Sequence, residues 1–174
     1  MTQDPFAATA VDTEEENPFG SPERSAFPRP AELLYKLLVM TPVKFDKTVK
    51  PGSKNEMQDR AHVDVVVLHD DGSVDEYEAM YWSQVTIVNA MRKAAKSGRP
   101  TLATLHIVPV QKTRDRYPDE EALLRDEDIQ RWLGRGGGGL PPLQIAWVLE
   151  PATPEQTARA LKWWNARPVA TPFG

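Results

Sequence analysis

Between residues 61 and 98 the spacing of apolar positions changes from about two to about 3.6. Val63, Val65 and Val67 share one face of a β-branched run, which reads as a strand with a buried side. Asp70-Asp71-Gly72-Ser73 follows. Asp and Gly both accept left-handed backbone, so this is hairpin-turn chemistry. The next run alternates again, which sets Tyr77, Ala79 and Tyr81 on the core face and Glu76, Glu78, Met80 and Trp82 on the outer one. Ser83 is placed to cap a helix in which Val85, Val88, Met91 and Ala95 recur, and Gly98 with Pro100 ends it. Residues 101–110 return to strand character.

On the N-terminal side, residues 31–38 open with a helical turn. Leu37 to Val49 then reads as a strand, with Val39, Thr41, Val43 and Phe45 on one side and a bulge or an edge required at Pro42. Residues 50–60 form a polar loop. Beyond the fourth strand, Pro118-Asp-Glu-Glu starts a helix running to Leu133, acids leading and Arg131 and Arg135 trailing. Trp132 anchors that helix, and Gly134 with the run 136–139 ends it flexibly. Leu143, Ile145, Trp147 and Leu149 mark a last strand. Thr153-Pro154-Glu155-Gln156 is a capping box with Pro at the first helical position, and it opens a helix with Ala158, Leu161 and Trp164 as its apolar stripe. Trp163 and Trp164 are adjacent, so one packs and the other is left for a partner.

The expected fold is therefore mainly β. It is a five-stranded barrel of the oligonucleotide/oligosaccharide-binding (OB) type with a helix between strands 3 and 4, an inserted helix between strands 4 and 5, and a C-terminal helix. Such barrels bind ligands on strands 2 and 3, helped by the loops between strands 1 and 2 and between strands 4 and 5. Here those loops are residues 46–60 and 110–140, and both carry cations. Residues 1–30 read as a disordered, acidic, Pro-rich tail, 31–166 as the OB-fold domain with 112–140 inserted, and 167–174 as a C-terminal tail.

Charge sharpens this picture. The net charge of −4 argues mildly against nucleic acid, but residues 1–28 hold six acids and one base, leaving +1 for the remainder. Residues 79–114 contain Arg92, Lys93, Lys96, Arg99, Lys112 and Arg114 and no acid. With no cysteine and three scattered histidines, no metal site or cofactor is expected. No segment approaches the roughly 18 apolar residues of a membrane span. The N-terminus lacks the basic and apolar regions of a signal peptide, so a cytoplasmic protein is expected.

Single strands are held by bases stacked on aromatic faces and by cations along the phosphates. The candidate DNA-binding residues are Lys44, Lys47, Lys50, Lys54, Arg60, Trp82, Lys112, Arg114 and Arg116. Phe45 and Tyr77 are assigned to the core, and Tyr117 is a further ring able to stack. Arg92, Lys93, Lys96 and Arg99 either touch DNA or merely solvate their helix. Catalytic residues are not expected: Asp64, Asp75 and Glu78 form the one carboxylate set a nuclease reading can use, and His69-Asp70-Asp71 is explained by its turn. Asp4-Pro5-Phe6, Asn17-Pro18-Phe19 and Thr171-Pro172-Phe173 make Phe6, Phe19 and Phe173 candidate partner-binding residues, which supports a protein-adaptor alternative. Oligomeric state is left open.

Leu38-Val-Met-Thr-Pro-Val-Lys, Asp59-Arg-Ala-His-Val-Asp-Val-Val-Val-Leu, Met80-Tyr-Trp-Ser, Leu140-Pro-Pro-Leu and Glu150-Pro-Ala-Thr-Pro-Glu-Gln, in that order, resemble segments of small single-stranded DNA-binding proteins of phages infecting actinobacteria. The likeness spans residues 33–164, and the inserted helix and Gly run depart from it. It implies an OB fold and single-strand binding in phage replication or recombination, in the host cytoplasm. Acidic tails ending in Pro-Phe also resemble the tip by which bacterial single-strand binders dock replication or recombination proteins, although here the acidic copy is N-terminal.

Overall fold

The computed structural model describes residues 27–111 and 113–168. Phe6, Phe19, Lys112 and Phe173, and with them most of both expected tails, lie outside the described residues. A 3-10 turn, Pro30–Leu33, precedes β1 (Leu37–Val49), β2 (Met57–Leu68) and β3 (Val74–Trp82). Then come α1 (Val85–Ser97), β4 (Thr101–Pro109), α2 (Glu120–Leu124), α3 (Glu127–Gly134), β5 (Ile145–Pro151) and α4 (Pro154–Ala166). The fold is mainly β: one five-stranded antiparallel sheet in the order β3-β2-β1-β4-β5. The sheet is open, because no ladder joins β3 to β5 among the described residues. Among those residues no helix is long and apolar enough to cross a membrane.

Two bulges decide which side chains face in. The first falls between Pro42 and Lys44, as Pro42 requires, since proline has no N–H for the ladder. It turns Val43 outward and brings Phe45 onto the face of Leu38 and Met40, away from Val39. The second lies in β3. Val63 pairs with Met80 and Val65 with Tyr77, so Glu78 and Ala79 together face Asp64. Ala79 takes φ 52°, and its N–H donates to Asp64 Oδ1 at 2.9 Å. Side-chain parity reverses past that point.

The main core lies on the inner face, where Leu38, Met40, Val63, Val65, Met80 and Trp82 meet Ile87, Val88 and Met91 of α1 and Ile129 and Trp132 of α3. The buried stripe of α1 is thus 87/88/91/94, and Val85 and Ala95 point to solvent. Gln84, not Ser83, is the N-cap, while Gly98 closes the helix at φ 69°. The outer face carries a smaller cluster of Leu37, Val39, Leu68 and Ala160, which α4 covers. Trp163 packs there, whereas Leu161 and Trp164 are exposed, so the expected 158/161/164 stripe is the solvent side. The capping box of Thr153 and Gln156 forms as expected.

The expected single inserted helix is two. Asp119 caps α2, and Asp126 interrupts the run by accepting the N–H groups of Asp128 and Ile129 as the cap of α3. Glu120 docks the insertion by accepting from the Ile107 N–H at 2.9 Å, on the edge of β4 that β1 leaves open, and its other oxygen lies 3.1 Å from His106 Nδ1. Gly136 and Gly137 of the Gly run are packed, not loose. A Cβ on Gly137 would lie 3.0 Å from the Trp147 ring at φ +69°, and one on Gly136 would meet Arg29 at 2.3 Å. Ala31 donates to the Gly136 carbonyl and the Trp132 indole to that of Gly138. Ala31 is therefore tied to the Gly run and Arg29 to the Arg135 carbonyl just before it, while Phe27 packs against the main core.

Candidate nucleic-acid interface

α4 covers only one end of the outer face. At the other end β1, β2 and β3 present Lys44, Asp46, Arg60, His62 and Tyr81 side by side, because Lys44 pairs with His62, Asp46 with Arg60, and His62 with Tyr81. Tyr81 is 56% exposed and Trp82 is 1% exposed. Trp82, expected to offer its face to a base, is a core residue paired with Ala61, and Tyr81, expected in the core, is the ring that solvent reaches. The bulge at Ala79 is the physical reason for the exchange.

Around Tyr81 the geometry is fixed on several sides. The Arg60 guanidinium lies 5.3 Å from the ring centroid, and Phe27 meets the ring edge-on at 6.3 Å. Asp46 accepts two hydrogen bonds from Arg60, at 2.8 and 2.9 Å, and one from His62 Nε2 at 2.8 Å. The Arg60 contact, followed by that of His62, holds the Asp46 carboxyl well below the usual carboxylate range. The bidentate pair orients Arg60 beneath Tyr81 and at the same time offsets its charge.

The remaining candidates are dispersed. Lys47 is exposed on the inner-face side of β1, 3.9 Å from Asp59, which also accepts from Arg92 at 2.9 Å. That Arg92 contact lowers the Asp59 pKa, and Arg92 also covers Phe45 at 5.8 Å. Lys50 pairs with Glu56 at 3.2 Å at the hairpin end, where Lys54 is exposed. Arg114 and Arg116 sit in the turn after β4, Arg116 lying 5.5 Å over the Tyr117 ring, while the Tyr117 hydroxyl donates to Asp126. Among the described residues Lys44, Lys54, Lys93, Lys96, Arg99, Arg114 and Arg116 make no ion pair.

The carboxylates of the nuclease alternative do not converge. Asp64 serves Ala79, Asp75 lies 2.7 Å from His69 Nε2, and among the described residues no three His, Asp or Glu side chains are placed to share a metal ion. Tyr81, Asp46 and His62 are the residues that sequence spacing misses. Cross-strand pairing to Lys44 and Arg60 is the signal that finds the latter two, once Pro42 is read as a bulge.

Beside Tyr81 the outer face runs into a groove of about 920 Å³ between the end of β3 and β5. The Thr86 hydroxyl donates to the Trp147 carbonyl across this gap and ties α1 to β5. Comparison with family models, with curated proteins and with solved structures finds no match to the chain, so the ground for a functional reading is this grouping of Tyr81, Arg60, Asp46, His62 and Lys44.

Proposed function

We propose that the protein binds single-stranded DNA without sequence preference, on an OB-type fold whose sheet is left open between β3 and β5. The observation that carries this reading is the exposed Tyr81 ring, backed by Arg60, on the outer face of β2 and β3. A base stacks on such a ring whatever its identity, since every base has a flat π-face. The element order supports the fold assignment, because the helix falls between β3 and β4 and a long connection follows β4. Lys44 and Lys54, without an ion pair among the described residues, offer charge for phosphates near the ring and at the hairpin end. The resemblance to phage single-strand binders leads to the same activity and to a role in phage replication or recombination in the host cytoplasm.

The test is a titration of the full chain with oligo-dT and with duplex of equal length. Single strand is expected to win, and its log–log salt slope is expected to be about −0.7 per phosphate neutralised. Equal competition by duplex overturns the reading. A second reading, a protein adaptor, is favoured by one observation: Leu161 and Trp164 stand exposed on α4, which covers the end of the outer face opposite Tyr81. It predicts that Trp164→Ala abolishes partner capture and leaves DNA affinity unchanged.

A further inference from the structure

The groove between β3 and β5 has a composition that a peptide strand and a nucleic acid use differently. Its accessible rings are those of Phe27 and Tyr81, the buried Trp82 and Trp147 lie beneath them, and Val85 and Leu140 line it 73% and 76% exposed. Arg29 and Lys50 are its charged residues, and no acid lines it among the described residues. Four of its lining residues are prolines, namely Pro28, Pro30, Pro51 and Pro141. Proline has no N–H, so this wall is poor in the backbone donors that an added peptide strand needs. Flat apolar groups attached to an anionic chain need only the rings and the two cations. Gln58, Ser83 and Gln84 add side-chain donors and acceptors for base edges, and the Trp82 indole N–H in the same wall is buried without an acceptor.

We propose that this groove is a second subsite on the path of the single strand. Beyond Tyr81 the strand turns over the end of β3 and seats unstacked bases on Leu140 and Val85, above the buried Trp147, its phosphates passing Lys50 and Arg29. This rests on the single-strand reading above. The volume of about 920 Å³ lies within the roughly 300–1,000 Å³ of sites for compact ligands. Lys50 is released from its exposed pair with Glu56 at little cost, because such surface pairs contribute little. Tyr81 belongs to both the outer face and the groove, so the two subsites are continuous.

The experiment compares oligo-dT with an abasic deoxyribose-phosphate strand of equal length, which keeps the phosphates and lacks the bases. Val85→Ser with Leu140→Ser is made in the full chain; both side chains are exposed, and far-ultraviolet circular dichroism checks folding. Affinity for oligo-dT is expected to fall about five- to tenfold, while affinity for the abasic strand stays the same. In a second chain, Trp163→Phe with Trp164→Phe removes the tryptophans of α4. Oligo-dT is expected to quench the fluorescence that remains, and the abasic strand is not. If the serine variant binds both strands like the unaltered chain, or the phenylalanine variant binds oligo-dT without quenching, the groove is off the strand path although the chain binds single strands. If a synthetic peptide of residues 1–26 quenches and oligo-dT does not, the groove takes the acidic segment and the proposal fails. If the unaltered chain prefers no single strand at all, the underlying reading fails with it.

Discussion

The Asp64 carboxylate accepts the backbone N–H of Ala79 at 2.9 Å and thereby holds a non-glycine residue at φ 52° in the middle of β3. Left-handed backbone costs an ordinary L-residue about 1–2 kcal/mol, so the bond to Asp64 offsets strain that the bulge imposes. Asp64→Ala removes the acceptor and is expected to destabilise the fold by about 1–3 kcal/mol. Ala79→Gly relieves the backbone and is expected to hold or raise stability. Urea melts of both variants check this. An Asp64→Ala chain as stable as the parent means that the bulge needs no side-chain acceptor.

That bond also explains why Tyr81 and Trp82 exchange places relative to the alternation read from sequence. Nothing in Glu-Tyr-Glu-Ala-Met-Tyr-Trp marks a bulge, since the usual signal is glycine or proline and Ala79 is neither. Several such signals are matched, since Pro42 sits at its bulge, Gly98 ends α1, and Thr153 with Gln156 caps α4, although Ser83 does not cap α1. The faces of the helices were less legible. Leu161 and Trp164 look like a core stripe but are exposed, because an apolar residue is not obliged to be inside. Asp126 lies inside the run 118–133 that reads as one helix, yet it is a second cap. The closing of the barrel rests on whether two distant edges meet, and no local pattern encodes that.

The exchange of faces yields opposite outcomes for neighbouring residues. Tyr81→Ala is expected to cost about 1–3 kcal/mol in oligo-dT affinity with little change in melting temperature. Trp82→Ala opens a cavity in the main core and is expected to cost about 3–5 kcal/mol of stability. Paired calorimetry and binding measurements distinguish them. A Tyr81→Ala chain with full affinity removes the stacking role from this ring.

Asp46 offsets the charge of Arg60, so Asp46→Asn is expected to raise affinity for oligo-dT at low salt and to loosen the orientation of Arg60. The same variant has a signature in acid. The folded-state pKa of Asp46 lies below its unfolded value of about 3.9. Its contribution is therefore complete above that unfolded value and is lost as the pH falls through the folded one. Between pH 7 and about 5 the stability difference between parent and Asp46→Asn is expected to be constant, and below about pH 4 it should shrink. A difference that stays constant down to strong acid means that the Arg60 and His62 contacts do not hold the carboxylate in solution.

Lys44 and Lys47 are three positions apart in the regular part of β1 past its bulge, so strand alternation sets them on opposite faces. Lys44 lies on the Tyr81 face without an ion pair among the described residues, and Lys47 lies on the inner-face side, paired with Asp59. Counterion release counts only cations that neutralise phosphate, each worth about −0.7 in the log–log salt slope for a single strand. Lys44→Ala is therefore expected to make the slope shallower by about that amount and to weaken binding most at low salt. Lys47→Ala should leave the slope unchanged, because its charge is paired with Asp59 on the side of the sheet opposite the proposed strand path. Affinities for oligo-dT at four or five salt concentrations measure both. Equal slope changes for the two variants place the strand around the hairpin rather than across its outer face, and a slope change for Lys47→Ala alone moves the interface to the α1 side, where Arg92, Lys93 and Lys96 would then supply the phosphate contacts.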